Sequence, residues 1–466
     1  MKLVSTVGGI RTLLAEAVAD FQNHQNVNIL CEQVRNGLFV LVEAFLVPVI
    51  EKVLCDPDFL SELKVGAGKM GLRFNGYRPS SIRLLTGTSV SIRSPYFSKA
   101  VSKRRPGPKS KKRQNGTGRH FGFDYLGFIG RCSTLLASSV VHAALLCPSF
   151  EIARRTLENH AINLNVKTIR RITMNLAQEA MPLRGRVSLC DTDRVGGKMV
   201  LVCIDGGRLR ERRPKRGRKP KGQKRQGYHA EWKEPIQFVI NIVDTDGTIS
   251  QKHLPLYDAT MGNIDAAFDL LEVYLRELNI SKAKRLVFCC DGARSYWKRT
   301  GPLAKRLGVS SHYEVIDYTH AKQNLHEIVD KLPKRTPIKK RNRIAESWKS
   351  LLWDGKFKDL RKEIIKHITY PKRRKEALAK FKNYFMRNRN RMQYSQFSSL
   401  RIPTGSGCVE SAIRRVINLR MKSPGIFWKP ETSESMLFLR SQLLSGRWNT
   451  LTDNIFKQIR SLCLCH

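Results

Sequence analysis

Acidic residues are scarce in this chain: 466 residues carry 39 Asp and Glu against 84 Lys and Arg, a net charge of +45. On a chain of ordinary apolar content (41%), that excess argues against a protein handling only small neutral metabolites. It calls for a polyanionic partner, either nucleic acid or an anionic membrane surface. Long apolar runs are also missing. The longest, GLFVLVEAFLVPVI at 37–50, contains Glu43 and Pro48 and falls short of the roughly 20 residues a spanning helix needs. It is expected as a buried helix, which leaves nucleic acid as the partner and no membrane. The N-terminus does not read as a signal peptide, so a cytoplasmic, nucleoid-associated setting is expected. Eleven scattered cysteines, an odd number, exclude a disulfide-stapled scaffold and suit a reducing compartment. Cys463, Cys465 and His466 have no matching pair and read as a tail rather than a zinc site. No repeat of about 20–50 residues is present, which excludes a solenoid.

What is present falls into segments. Residues 1–65 read as a helical N-terminal region, with Leu30, Val34, Leu38, Leu41 and Phe45 spaced for one inward face. Residues 66–120, rich in Gly, Ser, Pro and Arg, read as a basic linker or arm. Within them 103–119 holds eight basic residues and no acid. Residues 121–185 return to helical spacing. Ser149 is a candidate N-cap for one helix, and after a break at Asn163–Asn165 a second runs VKTIRRITMNLAQEAM. That second helix turns Val166, Ile169, Ile172 and Leu176 inward and Lys167, Thr168, Arg170 and Arg171 outward. Helix, short turn and helix with basic residues at the second N-terminus is how a recognition helix enters the major groove, so these four are candidate DNA contacts. A plain helical hairpin with a solvated face fits the same spacing.

From residue 199 the pattern becomes strands: MVLVCID, PIQFVINIVD and, after Asp246-Gly247, TISQKHLPLY. A helix follows, with Ala266, Leu270, Val273 and Leu278 among its apolar positions. Next come the strand RLVFCCD, a helix from Ser295 to Leu307, a fifth strand HYEVIDY and a helix from Thr319. Three antiparallel strands followed by parallel additions predict an α/β fold, a ribonuclease-H-like mixed sheet with helices on both faces over 195–330. Asp205 ends its first strand and Asp291 its fourth, which are neighbours in that order. Each is followed by glycine, suited to a sharp exit from the sheet. Carboxylates at adjacent strand ends are what two divalent ions need to serve phosphodiester chemistry, since Mg²⁺ prefers hard oxygen ligands. A third acid, Glu410, lies in the first turn of a helix opened by Gly405-Ser406-Gly407, with Arg414 one turn on to steady it or to contact phosphate. An Asp-Gly that merely turns and a Glu that merely suits a helix dipole are the bland alternatives.

This constellation resembles the DDE transposases of bacterial insertion sequences, the ISKra-like group in particular, over residues 120–450. GSGCVESAIRRVINLRMKSPGIFW, with Gly425 and Trp428, resembles that group's signature around its catalytic Glu, and LRSQLLSGRW its closing motif. FCCDGARSYW resembles the second-Asp motif and VIDYTHAKQNL the Asp-x-x-His segment. The resemblance implies Asp205, Asp291 and Glu410 as catalytic and metal-binding residues for Mg²⁺ or Mn²⁺. It also implies double-stranded DNA, both terminal inverted repeats and target, as substrate, and a homodimer or larger assembly. A ribonuclease-H-like nuclease or resolvase without strand transfer is one alternative, and a non-catalytic DNA-binding protein derived from a transposase is the other.

Three features depart from a compact core. After the first Asp, residues 208–225 insert eleven basic residues and one acid. Arg216-Gly217-Arg218 within them is similar to an AT-hook core and suits a narrow minor groove, though a loop held to phosphate by charge alone is the simpler expectation. Asp317 and His320 are candidate outer partners that orient a metal ligand or a phosphate; an Asp capping the next helix is the alternative, and Asp317 is the reserve for Asp291. Residues 331–400 read as a basic helical insertion with Trp348, Trp353 and Phe357 in its core, followed by the Glu helix over 401–450 and a tail over 451–466.

Overall fold

The computed structural model describes residues 27–99, 118–184, 193–219, 221–222 and 226–464, with short helical pieces at 11–12, 15–19 and 22–23. Most of the basic run 103–119 and the side chains of Cys463, Cys465 and His466 lie outside the described residues. The chain divides into two compact units, residues 1–183 with 449–466, and residues 184–448.

In the first unit, α1 (Val27–Leu54) and α2 (Pro57–Lys69) precede a two-stranded antiparallel hairpin, β1 (Leu72–Arg83) and β2 (Ser89–Lys99). The hairpin takes up 72–99 of the stretch 66–120 expected as a linker or arm. Its strands bury Ile82 and Ile92 in one apolar cluster and Phe97 in another, while most of their Ser and Arg stay wet and mask the alternation. Glu43 is buried and its carboxylate accepts the Leu85 and Thr86 amides, both at 2.6 Å, which pins the hairpin turn to α1. The apolar run at 37–50 is helical as expected but buried on one side only: Leu46, Val47 and Ile50 pack against the core, whereas Leu38 and Phe45 are exposed. No described helix is long and apolar enough to cross a membrane.

Four helices follow: α3 (Phe121–Tyr125), α4 (Thr134–Leu146), α5 (Phe150–Glu158) and α6 (Val166–Ala180). Ser149 caps α5 by accepting from the Ile152 amide, and Asn165 caps α6 by accepting from that of Thr168. Ile169, Ile172 and Leu176 are buried, whereas Lys167, Arg170 and Arg171 are exposed and Thr168 is half-buried. Two capped helices joined by residues 159–165 are therefore present, with the break longer than the Asn163–Asn165 read from the sequence. Residues 451–464, expected as tail, belong to a C-terminal helix, Trp448–Leu464, whose Ile455 is buried.

The second unit is built on a five-stranded mixed sheet. Its strands are β3 (Met199–Gly206), β6 (Ile236–Val243), β7 (Leu256–Thr260), β8 (Arg285–Cys290) and β9 (His312–Ile316), ordered β7-β6-β3-β8-β9. The pairs β3–β6 and β6–β7 are antiparallel, and β3–β8 and β8–β9 parallel, an arrangement compatible with a ribonuclease-H-like core. Val200 to Ile204 are all buried because helices cover both faces, which is why β3 reads as an unbroken apolar run. The turn at Gly247, with φ of +92°, is where the sequence puts it, but only one bridge, Val243 to Ile249, follows. The third strand starts at Leu256 rather than after Gly247; Pro255, without an amide hydrogen, marks the boundary.

Between β3 and β6 the basic insertion folds into a second antiparallel ribbon, β4 (Leu209–Pro214) and β5 (Tyr228–Lys233). The helix α7 (Ile264–Glu277) buries Ala267, Phe268, Leu271, Tyr274 and Leu275. That face lies one residue beyond the expected Ala266, Leu270 and Val273. α8 (Arg294–Arg306) and α9 (Tyr318–Val329) flank β9. The insertion consists of α10 (Ile338–Trp353), α11 (Phe357–His367), α12 (Pro371–Lys380), a π turn at Phe381–Met386 and α13 (Tyr394–Ser399). Trp348 and Phe357 are buried there, and Trp353 is half-buried, stacked on Tyr394 at 5.8 Å. The expected Glu helix is three pieces: α14 (Gly407–Ile413), a π turn at Arg414–Asn418 and α15 (Leu419–Met421), with α16 (Pro430–Leu444) behind them.

Candidate active site

Two sheet rules bring the first acids together. β3 and β8 pair in parallel with Ile204 opposite Cys290, so Asp205 and the position after Cys290, Asp291, leave the sheet side by side at the same end. Each carboxylate is oriented by a backbone amide beyond it: Asp205 accepts from Gly206 at 2.7 Å, and Asp291 from Ala293 at 2.9 Å. Burial raises the Asp205 carboxyl above the ordinary aspartate range. The Gly206 amide and His320 pull it down, while Asp291 and Glu410 push it up. Asp291, His320 and Glu410 are thus all within electrostatic reach of Asp205.

Glu410 arrives on α14, which packs Val409, Ala412 and Ile413 inward. Its side chain is 55% exposed and faces His320 Nε2 at 3.8 Å. Arg414, expected to steady Glu410, is exposed at the start of the π turn, and the side chain that faces Glu410 is His320 on α9. Arg440 donates to the Val416 carbonyl at 2.6 Å and to that of Arg415, holding the turn in its wide form.

Asp317 is buried and fully engaged. Its Oδ1 caps α9 by accepting the Thr319 and His320 amides, and its Oδ2 accepts the Ser406 amide at 2.5 Å and the Ser406 hydroxyl. Burial alone would raise this carboxyl, but the bonds from Ser406, His320 and Thr319 outweigh it and hold it below the usual range. With both oxygens committed, Asp317 does not replace Asp291. It ties the end of β9 to the residue that opens α14.

The glycines after the two aspartates differ. A Cβ on Gly292 would meet the Tyr384 ring at 2.4 Å, whereas one on Gly206 would meet nothing within 4 Å, and neither residue has a positive φ. The sharp-exit reason expected for both is therefore replaced at Gly292 by close approach of an aromatic ring. Tyr384 from the insertion and Tyr296 from α8 flank Asp291. Burial, with the Asp291 charge, pushes both phenols up. The Tyr384 hydroxyl is buried without a partner among the described residues.

Gly207 also serves close packing, since a Cβ there would meet Ile417 at 2.4 Å. The ribbon is fixed to the chain beyond the Glu helix, where the Arg212 amide donates to the Trp428 carbonyl at 2.8 Å and the Trp428 amide to that of Arg210 at 2.9 Å. Toward its tip Arg216 and Arg218 are exposed, and Gln226 donates to the Lys215 and Gly217 carbonyls. Sequence reasoning missed a cavity of about 290 Å³ lined by Arg294, Trp297, Lys298, Arg387, Asn388 and Arg391, which begins three residues after Asp291. Its basic residues are split between α8 and the insertion, so no sequence window shows them together.

The donor chemistry suits a hard divalent ion, since Asp205 and Asp291 each use one carboxylate oxygen on an amide. Among the described residues, however, no three Asp, Glu, His or Cys side chains are gathered closely enough to hold a metal as they stand. No family model and no curated protein matches the chain. Among solved structures it is similar to the Drosophila P element transposase strand transfer complex, with a TM-score of 0.26 and 12% identity over 71% of this chain and 84% of that one. A likeness that slight assigns neither fold nor activity.

Proposed function

We propose that this chain is a DDE-type DNA transposase of the ISKra-like kind, which cuts DNA at the element's ends and joins the freed 3′-hydroxyl to target DNA. The observation that carries this reading is the exit of Asp205 and Asp291 from paired parallel strands, with His320 and Glu410 beside them. Asp205, Asp291 and Glu410 are the residues that would hold Mg²⁺ or Mn²⁺, and such ions, when bound, neutralise charge on the attacking and leaving oxygens of an in-line displacement. The exposed Glu410 completes the set by turning toward the two aspartates.

The chain's other groups bind and position. The Gly206 and Ala293 amides fix one oxygen of each aspartate and leave the other free. His320 steadies Glu410, and the Asp317–Ser406 bonds set where α14 begins. Tyr296 and Tyr384 keep water from the sides of Asp291. Phosphate contacts come from Arg414, from Arg216 and Arg218 on the ribbon tip, and from Lys167, Thr168, Arg170 and Arg171 on α6. The substrates are duplex terminal inverted repeats and target DNA. A homodimer or larger assembly is required because two ends are processed together, and a nucleoid-associated location follows from the substrate. The test is a strand-transfer assay with labelled element ends. Joined product supports the reading, and cleaved ends that are never joined would replace it with a nuclease or resolvase.

A further inference from the structure

Three arginines from separate parts of the first unit line one cavity of about 420 Å³. Arg83 ends β1, Arg131 lies between α3 and α4, and Arg171 is on the exposed side of α6. Asn175, one turn beyond Arg171, and Ser81 and Ser89 add polar groups, and no Asp or Glu lines the cavity. The charges of Arg83 and Arg171 both reach the Cys132 thiol, which also lines it, so the two guanidiniums converge. Asp124, the carboxylate that Arg131 influences, is already paired with Arg119 at 2.7 Å.

The backbone aims these groups. Arg83 donates to the Gly87 carbonyl, which fixes its guanidinium. Ile129 and Cys132 exchange amide hydrogen bonds around Gly130 and Arg131, whose φ values are +55° and +68°. A turn with two left-handed central residues favours glycine at both. Gly130 obeys that preference and also makes room, since its Cβ would come within 2.0 Å of Asn175 Nδ2. Arg131 does not obey it, so what an arginine gains there comes from its side chain. Guanidiniums and neutral donors with no opposing carboxylate are the chemistry that recognises phosphate oxygens.

We propose that this cavity receives a backbone phosphate of duplex DNA and so seats α6, with Lys167 one turn before Arg171, along the duplex. The inference rests on the DNA-processing reading above and adds Arg83, Arg131 and Asn175 to its contacts. The test uses the full chain and a fluorescent mixed-sequence duplex, followed by anisotropy across a salt series. Arg131→Gly removes the charge while suiting the left-handed backbone, so the fold is kept, as a thermal melt would show; Arg171→Gln is the second variant. Each is expected to bind roughly tenfold more weakly, with the slope of log affinity against log salt reduced by about 0.9. Wild-type binding that both variants retain, with unchanged slope, would overturn the phosphate site and leave the transposase reading standing. Inorganic phosphate that binds the wild type and not the variants, while duplex affinity is unchanged, would also overturn it, in favour of a small-anion pocket. A wild type that does not bind duplex DNA even at low salt would overturn both readings.

Discussion

Cys203 and Cys408 meet sulfur to sulfur at 3.3 Å, and each stands two residues ahead of a candidate carboxylate, Asp205 on β3 and Glu410 on α14. In a strand, residues two apart share a face, so Cys203 marks the face of β3 from which Asp205 leaves. Cys289, opposite Cys203 in register, stands likewise two residues ahead of Asp291. The Cys203 thiol thus meets Cys408 on the Glu helix and Cys289 on the neighbouring strand. A mild thiol oxidant should therefore link Cys203 to Cys408, because closing the sulfurs to about 2.05 Å needs only a small approach. Peptide mapping without reductant reads the result; linkage of Cys408 to a cysteine other than Cys203 would show that α14 does not sit on β3 in this way.

Asp317→Ala is expected to lower stability by about 3 kcal/mol, combining a lost helix cap with the stranded Ser406 donors. Because the folded carboxyl is held below its unfolded value, its stabilisation is present above the unfolded range and lost as pH falls through the folded one. Urea melts should thus show a gap between wild type and variant that is full at neutral pH and narrows on acidification. A gap that widens toward acid would contradict the hydrogen-bond account.

The two Asp-Gly pairs should respond unequally to alanine. Gly292→Ala drives a Cβ into the Tyr384 ring and should cost about 1–3 kcal/mol, whereas Gly206→Ala should change stability by less than about 0.5 kcal/mol. Thermal melts of both variants decide it, and equal effects would mean that Tyr384 does not close over Gly292.

His320→Ala should lower the strand-transfer rate by about 10–100-fold, the range for a group that orients a ligand rather than serving as one. His320→Gln, which keeps a donor, should recover part of that loss. Rates unchanged in both would remove His320 from the site.

Much of the second unit is legible in its sequence because β3 and β8 are covered on both faces and read as continuous apolar runs, and β6 as one interrupted only by Gln237 and Asn241. Their order then places Asp205 beside Asp291 by topology alone. The hairpin of Leu72–Lys99 is hidden because its wet positions are filled with Ser and Arg, composition shared with linkers. The β4–β5 ribbon is hidden for a related reason: its charges read as a loop, and the buried Glu211, which accepts from Ser433 at 3.0 Å, gives no local sign of its partner. Long-range side-chain bonds such as Asp317 to Ser406 join residues 89 positions apart and leave no periodic trace. The π turn after Glu410 is likewise invisible to helical spacing, since Val416 is buried within it as the apolar pattern expects of a helix.

The most direct measurement is Mg²⁺-dependent strand transfer of labelled element ends by Asp205→Ala, Asp291→Ala and Glu410→Ala, with end binding followed in parallel. Removing a metal ligand should cost more than the roughly 100-fold limit for its outer partners, so each variant should lose joined product while still binding DNA. Joined product at wild-type rates from any of the three would contradict that residue's place in the site, and from Asp205→Ala and Asp291→Ala together it would contradict the account as a whole.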